Sequence, residues 1–155
     1  MSGSPIQRIL VPVDLSSCSA DALRFARALG PVLGASIDVL HVLEPSGTLA
    51  GSPAGGGEAD PGAAKEQLSQ FVASVEGPAA AISERVESGE VHERILAVSD
   101  QGSFDMIVMG THGRTGRAHS LVGSVAESIV RLSPVPVLTV RESRAAQRSE
   151  VKTRN

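Results

Sequence analysis

Residues 105–132 read DMIVMGTHGRTGRAHSLVGSVAESIVRL. The run DMIVM (105–109) is short and almost wholly apolar, the pattern of a strand buried on both faces. From Val122 onward the apolar residues Val122, Val125, Ile129 and Leu132 recur three or four apart, which predicts an amphipathic helix. Between them lies a loop carrying Gly110, Gly113 and Gly123. A buried strand that passes through a glycine loop into a helix is one βα unit of a parallel sheet.

The rest of the chain repeats that unit. RILVPVD (8–14) predicts a buried first strand, with Pro12 near its end where a missing N–H does least harm. A helix follows, capped by serines, with Ala22, Phe25, Ala26, Leu29 and Leu33 as its stripe and Pro31 and Gly34 at its close. SIDVLHVLE (36–44) predicts the second strand. Residues 45–64 hold six Gly and three Pro and predict a flexible loop without any element. AKEQLSQFVASVE resumes a helix through Leu68, Phe71, Val72 and Val75. Residues 79–88 alternate and predict a weaker strand, at an edge or a partly exposed place in the sheet. A helix with Val91, Ile95 and Val98 on one face follows, and VPVLTVR (135–141) predicts the last strand. The alternation predicts an α/β fold: an open five-stranded parallel sheet, order 3-2-1-4-5, with helices on both faces. Ligands of such sheets bind at the carboxyl ends of the strands, where the winding reverses. That edge collects Val13 and Asp14 with Gly110 and its loop.

Bulk properties narrow the function. A chain of 155 residues suits one domain, expected over residues 1–141. Residues 141–155 carry five cationic side chains against two acids, so the remainder has a net charge of −6 within a total of −3. The acidic body and the absence of Trp and Tyr argue against nucleic-acid binding. Residues 142–155 are expected to form a basic, disordered tail. One cysteine, Cys18, allows no intrachain disulfide. No signal peptide and no apolar run of about 20 residues is present, which predicts a cytoplasmic protein with no membrane partner.

The glycine loop is a candidate phosphate cradle. Glycine leaves backbone N–H groups accessible and tolerates positive φ, so successive N–H groups can form an anion nest. Gly123 and Ser124 stand where a helix begins, and unpaired N–H groups there favour an anion. Arg114 offers charge. The competing reading is a glycine-softened βα connection. No GxxxxGK[ST] or GxGxxG occurs, and the only lysines are Lys65 and Lys152.

Other residues carry blander readings. Asp14 as a phospho-acceptor lacks an acidic cluster and a lysine after the last strand. His41 reads as a packed, hydrogen-bonded strand residue. His112 and His119 face either water or a γ-phosphate. None of His41, His92, His112 and His119 forms a close ligand set at metal-site spacing, and no metal site is expected. Cys18 reads as inert. Arg24 and Arg27 read as a solvated helix face.

The arrangement Gly110-x2-Gly113-x9-Gly123-Ser124 resembles the ATP-binding motif of the universal stress protein family. RILVPVDLSSCSADAL, VLHVLE and SPVPVLTVR resemble that family as well, so the likeness spans roughly residues 6–141. The resemblance implies adenine nucleotide binding, with ATP first among the ligands and Mg admissible beside it, and a homodimer paired through the strand at 135–141. Val13 and Val42 would contact the adenine, with Pro12 alongside them and Met109 walling the pocket. Asp14 would meet the ribose. Gly110, Gly113, Arg114, Gly123, Ser124 and Val125 would surround the phosphates and ribose. His119 and Ser120 depart from the leucine-rich run expected in the gap. The implied function is a nucleotide-dependent regulatory module in the stress response, with a protein partner that the sequence does not name. The alternative is a slow ATPase or phosphotransferase at the same site. A catalytic constellation is not evident.

An apolar final strand at a sheet edge supplies an independent reason for a dimer. Bare edges invite pairing, and pairing with a second copy covers them.

Overall fold

The computed structural model describes residues 6–45, 60–112 and 122–143. Strands and helices alternate along them: β1 (Arg8–Val13), α1 (Ser17–Leu33), β2 (Ser36–Leu43), α2 (Pro61–Ser74), β3 (Ile82–Ser88), α3 (Val91–Gln101), β4 (Met106–Gly110), α4 (Ser124–Leu132) and β5 (Val137–Val140). The strands form one parallel sheet in the order β3-β2-β1-β4-β5. This is the expected topology, with β3 at one edge and β5 at the other.

Each face of the sheet carries its own core. On one side Ile9, Val11 and Val13 of β1 and Ile37 and Val39 of β2 pack against Ala22, Leu23 and Ala26 of α1 and Leu68 and Val72 of α2. On the other side Leu10, Leu40, Ile107 and Met109 pack against Ile95 and Val98 of α3 and Ala126 and Ile129 of α4. Alternate residues of β1 thus serve opposite layers, as the period of a strand requires. Each fully buried Leu or Ile contributes about 1.5–3 kcal/mol from burial, and Phe104 adds a buried aromatic to the α3/α4 side.

The helix starts follow their caps. Ser16 caps α1 by accepting from the Ser19 N–H. Gly34 ends that helix at φ 69°, a left-handed conformation that costs glycine little, while Pro31 lies inside the last turn. Asp60 accepts from the Gly62 N–H, and Pro61 occupies the first turn of α2. The helix therefore begins at Pro61, not after residue 64 as the glycine- and proline-rich composition suggested. Asp-Pro-Gly is a helix start here because proline needs no N–H partner in a first turn.

Three side chains depart from the predicted stripes. Phe25 is 42% exposed, and Leu23 is fully buried in its stead. The inward face of α1 is set by Cys18, Ser19, Ala22, Leu23, Ala26 and Gly30, mostly small residues that let the helix lie close to the sheet. Val122 and Leu132 are exposed, and α4 faces inward through Ala126 and Ile129 with Val125 beside them.

Arg24 is exposed and pairs with Asp21, as a solvated face would. Arg27 instead reaches across to the α2–β3 connection, donating to the carbonyls of Val75, Gly77 and Pro78. Beyond β5 the Ser17 hydroxyl donates to Glu142, and the Ser143 N–H donates to Asp21 Oδ2 at 2.9 Å. These two residues lie on α1, and the rest of the basic tail, 144–155, is outside the described residues. No helix among the described residues is long and apolar enough to cross a membrane.

Candidate functional site

β1 and β4 are parallel neighbours at the centre of the sheet, paired near their starts at Ile9–Met106 and Leu10–Ile107, and the same register brings their carboxyl ends side by side. The chain leaves β1 toward α1 on one face, and it leaves β4 toward α4 on the other. This is the crevice in which ligands of open α/β sheets bind.

The β1–α1 turn is tightly stitched. Asp14 accepts the Ser16 N–H on Oδ1 at 3.0 Å. Leu15 sits at φ 66°, a left-handed conformation that costs a non-glycine residue about 1–2 kcal/mol. Ser16 then caps α1. Across from it, buried His41 of β2 holds its Nδ1 2.9 Å from the Val13 carbonyl oxygen. A carbonyl can only accept, so this Nδ1 carries the proton. The reading of His41 as a hydrogen-bonded strand residue holds.

The predicted apolar contacts divide between the two faces. Val42, Met109 and Val125 all belong to the α3/α4 side. Pro12 is buried and alternates with Leu10, so it stands on the same side. Val13 points the other way, into the α1/α2 core. Any contact from Val13 to a ligand on the α3/α4 side would therefore come from its backbone. Strand parity can be counted from sequence, but assigning a layer to each parity needs the helices in place.

Gly110 ends β4 opposite Val140 of β5. A Cβ there would lie 2.8 Å from Cys18 Sγ and 3.1 Å from the Cys18 carbonyl carbon and oxygen. Its small size is thus required for α1 to pack on β4, a reason independent of any phosphate. Cys18 is buried, with Sγ 3.6 Å from the Val140 carbonyl oxygen, which accords with an inert thiol. Among the described residues the positive-φ glycines are Gly34 and Gly89, so Gly110 does not use its conformational freedom.

The loop after β4 returns to its own base. The Thr111 N–H continues the ladder to the Val140 carbonyl at 3.0 Å, and the Gly123 N–H donates back to the Thr111 carbonyl at 2.6 Å. Buried Thr111 also holds its hydroxyl 2.9 Å from His112 Nδ1. Gly123 stands at the N-cap of α4 in extended conformation and, having no side chain, makes no side-chain cap bond. Ser124 is the first helical residue and is exposed. Gly113, Arg114, His119 and Ser120 lie outside the described residues.

One cluster escaped the sequence reading. Glu90, His92 and Glu93 bring ligand atoms within 4.8 Å of one another. Glu90 caps α3 by accepting the Glu93 N–H at 2.9 Å, and its other oxygen lies 2.6 Å from His92 Nδ1. Helix capping accounts for the group, since carboxylates suit the positive end of a helix and a cation does not. Treating Glu90 as an N-cap would have revealed it, because a cap can turn back to meet the residues two and three positions on.

Comparison with known proteins places this architecture in a family. The family model described as the universal stress protein family matches residues 5–141. Universal stress protein A homolog 1 of Coxiella burnetii is 30% identical over 147 residues, covering 86% of this chain and 95% of that one. Universal stress protein MJ0577 of Methanocaldococcus jannaschii is 31% identical over 78 residues, and the matched stretch spans only about half of each protein, 50% of this chain and 48% of that one. The universal stress protein from Archaeoglobus fulgidus in complex with dAMP superposes with a TM-score of 0.64 at 26% identity, covering 88% of this chain and 98% of that one. A universal stress protein solved in complex with cAMP shares the fold, with a TM-score of 0.66 at 24% identity and coverage of 90% and 100%. With its family match across nearly the whole described fold, the chain belongs to the universal stress protein family.

Proposed function

We propose that this protein binds an adenine nucleotide, ATP in the first instance, at the β1–β4 crevice, and that it acts as a nucleotide-dependent regulatory module of the stress response. One observation carries the reading. Pro12, Val42, Met109 and Val125 share one face of the sheet at its carboxyl edge, beside the neck closed by Thr111 and Gly123. Four apolar side chains form a wall for a flat base, and the start of α4 is an adjacent place for phosphate. The dAMP complex of the A. fulgidus relative supports the same ligand class.

In this reading the base lies against Val42 and Met109, and Asp14 meets the ribose. The phosphates extend over Gly110, Gly113, Arg114, Gly123, Ser124 and Val125, with Mg as their counter-ion. The motif spacing supports assigning ATP. The protein works in the cytoplasm as a homodimer paired through residues 135–141. With no Trp and no Tyr to absorb near 280 nm, the protein offers a direct test. Purified protein is expected to show absorbance dominated by a 260 nm band when nucleotide co-purifies, and mass spectrometry of the released ligand identifies it. Calorimetric titration of ligand-free protein with ATP, AMP and cAMP ranks the ligands. Absence of heat or protection for all three at millimolar concentration rejects the reading. Sustained phosphate release with bound ATP turns it toward a slow ATPase.

A further inference from the structure

The hydrogen bond from His41 to the Val13 carbonyl ties the end of β1 to β2 from outside the β1–α1 turn. We propose that His41 is a positioning residue for the nucleotide site, holding the turn Asp14–Ser16 in its binding conformation. This rests on the adenine-nucleotide reading above.

The turn needs such a brace. Leu15 is held in a left-handed conformation that leucine avoids, and such strain persists only where the surroundings over-determine it. Two bonds inside the turn act locally: Asp14 Oδ1 with the Ser16 N–H, and the Ser16 side chain with the Ser19 N–H. Both fix the turn relative to α1. Neither fixes it relative to β2, which carries Val42 one residue beyond His41. The ladder pairs β1 with β2 as far as Val13 and His41, and at that last pair the imidazole adds a side-chain tie to the Val13 carbonyl, where the chain turns away. Its burial, 8% exposed, protects the bond from competition by water. The ring lies on the α1/α2 face with Val13, whereas Val42 and Pro12 lie on the opposite face. His41 thus acts from behind the sheet and sets the spacing of groups on the ligand side without touching the ligand.

The test uses two substitutions in the full chain. His41→Val removes the donor and keeps an apolar strand residue. His41→Asn places its Nδ2 donor at the position of the imidazole Nδ1. Titrations with adenosine, ATP and inorganic tripolyphosphate are compared, together with amide exchange of Ser16 in ligand-free protein. The expectation is a roughly tenfold loss of adenosine and ATP affinity in His41→Val, the scale of one hydrogen bond. Tripolyphosphate binding is expected to be unchanged, Ser16 exchange faster, and both effects reversed in His41→Asn. A uniform loss for all three ligands, or His41→Asn behaving like His41→Val, overturns the proposal in favour of a merely structural role. Wild-type affinity in His41→Val overturns it outright. Wild-type protein that binds no adenine compound defeats the nucleotide reading instead. In that case unchanged Ser16 exchange in His41→Val overturns the brace by itself, and accelerated exchange upholds it.

Discussion

The Gly123 N–H donates to the Thr111 carbonyl at 2.6 Å, closing the neck of the loop that joins β4 to α4. The bond spans twelve positions and sets the start of α4 beside the end of β4 whatever path the intervening residues take. An N-terminal helix end and a strand end are thereby brought to one place, which a phosphate-binding arrangement requires.

Removing that one donor is the sharpest test of the neck. Gly123 has φ −73°, a value proline adopts without strain. Gly123→Pro therefore deletes the N–H while preserving the backbone conformation. The expected result is a five- to twentyfold weaker ATP affinity, on the order of one hydrogen bond, with the melting temperature lowered by only a few degrees. Gly123→Ala keeps the donor and is expected to bind more tightly than the proline variant. Calorimetry and thermal melts on both variants decide it. Equal affinities would mean that the neck bond is irrelevant to binding.

Gly110 makes a separate prediction about stability. A methyl group there meets Cys18 Sγ and backbone at 2.8–3.1 Å, closer than side-chain carbons tolerate. Gly110→Ala is expected to destabilise the fold by about 1–3 kcal/mol, the usual cost of overpacking. Adding Cys18→Ala removes the sulfur but leaves the backbone contacts, so partial recovery is expected. Urea denaturation of the two single variants and the double variant yields the coupling. Additive losses would show that the two residues do not meet.

The edge strand predicts the oligomer. β5 has four residues, and Thr139 within it is exposed. If two copies pair through β5 about a two-fold axis, a charge at position 139 lies within roughly two residues, or about 7 Å, of its own copy. Thr139→Lys is expected to convert a dimer into a monomer at micromolar concentration, with little change in the fold because the side chain faces solvent. Sedimentation velocity of both forms is the measurement. A dimer that tolerates the lysine places the interface elsewhere.

The order of elements was legible because two periods carry it. Short apolar runs at 9–13 and 106–109 marked strands buried on both sides, and three-and-four spacing marked the helices. Alternation of the two, with right-handed crossovers, left few topologies beyond the one observed. Helix facing was less legible. Phe25 looks like a core residue by hydropathy, yet α1 packs through Ala22, Leu23 and Ala26 because small residues let it approach β4. Pro61 looks like loop, yet Asp60 before it supplies a cap. Arg27 looks solvated, yet carbonyls from a connection some fifty residues away accept its protons.

The sequence by itself determined the strand and helix order, the parallel sheet and the glycine motif, since each depends on residues close together in the chain. Tertiary structure alone decided which strand parity faces which helical layer. It put Val13 on one side and Val42, Met109 and Val125 on the other. It also showed that Gly110 is small for the sake of Cys18, and that His41 reaches the Val13 carbonyl. The physical reason is common to all three. Each is a contact between residues distant in the chain, whose geometry is set only when the layers close on one another.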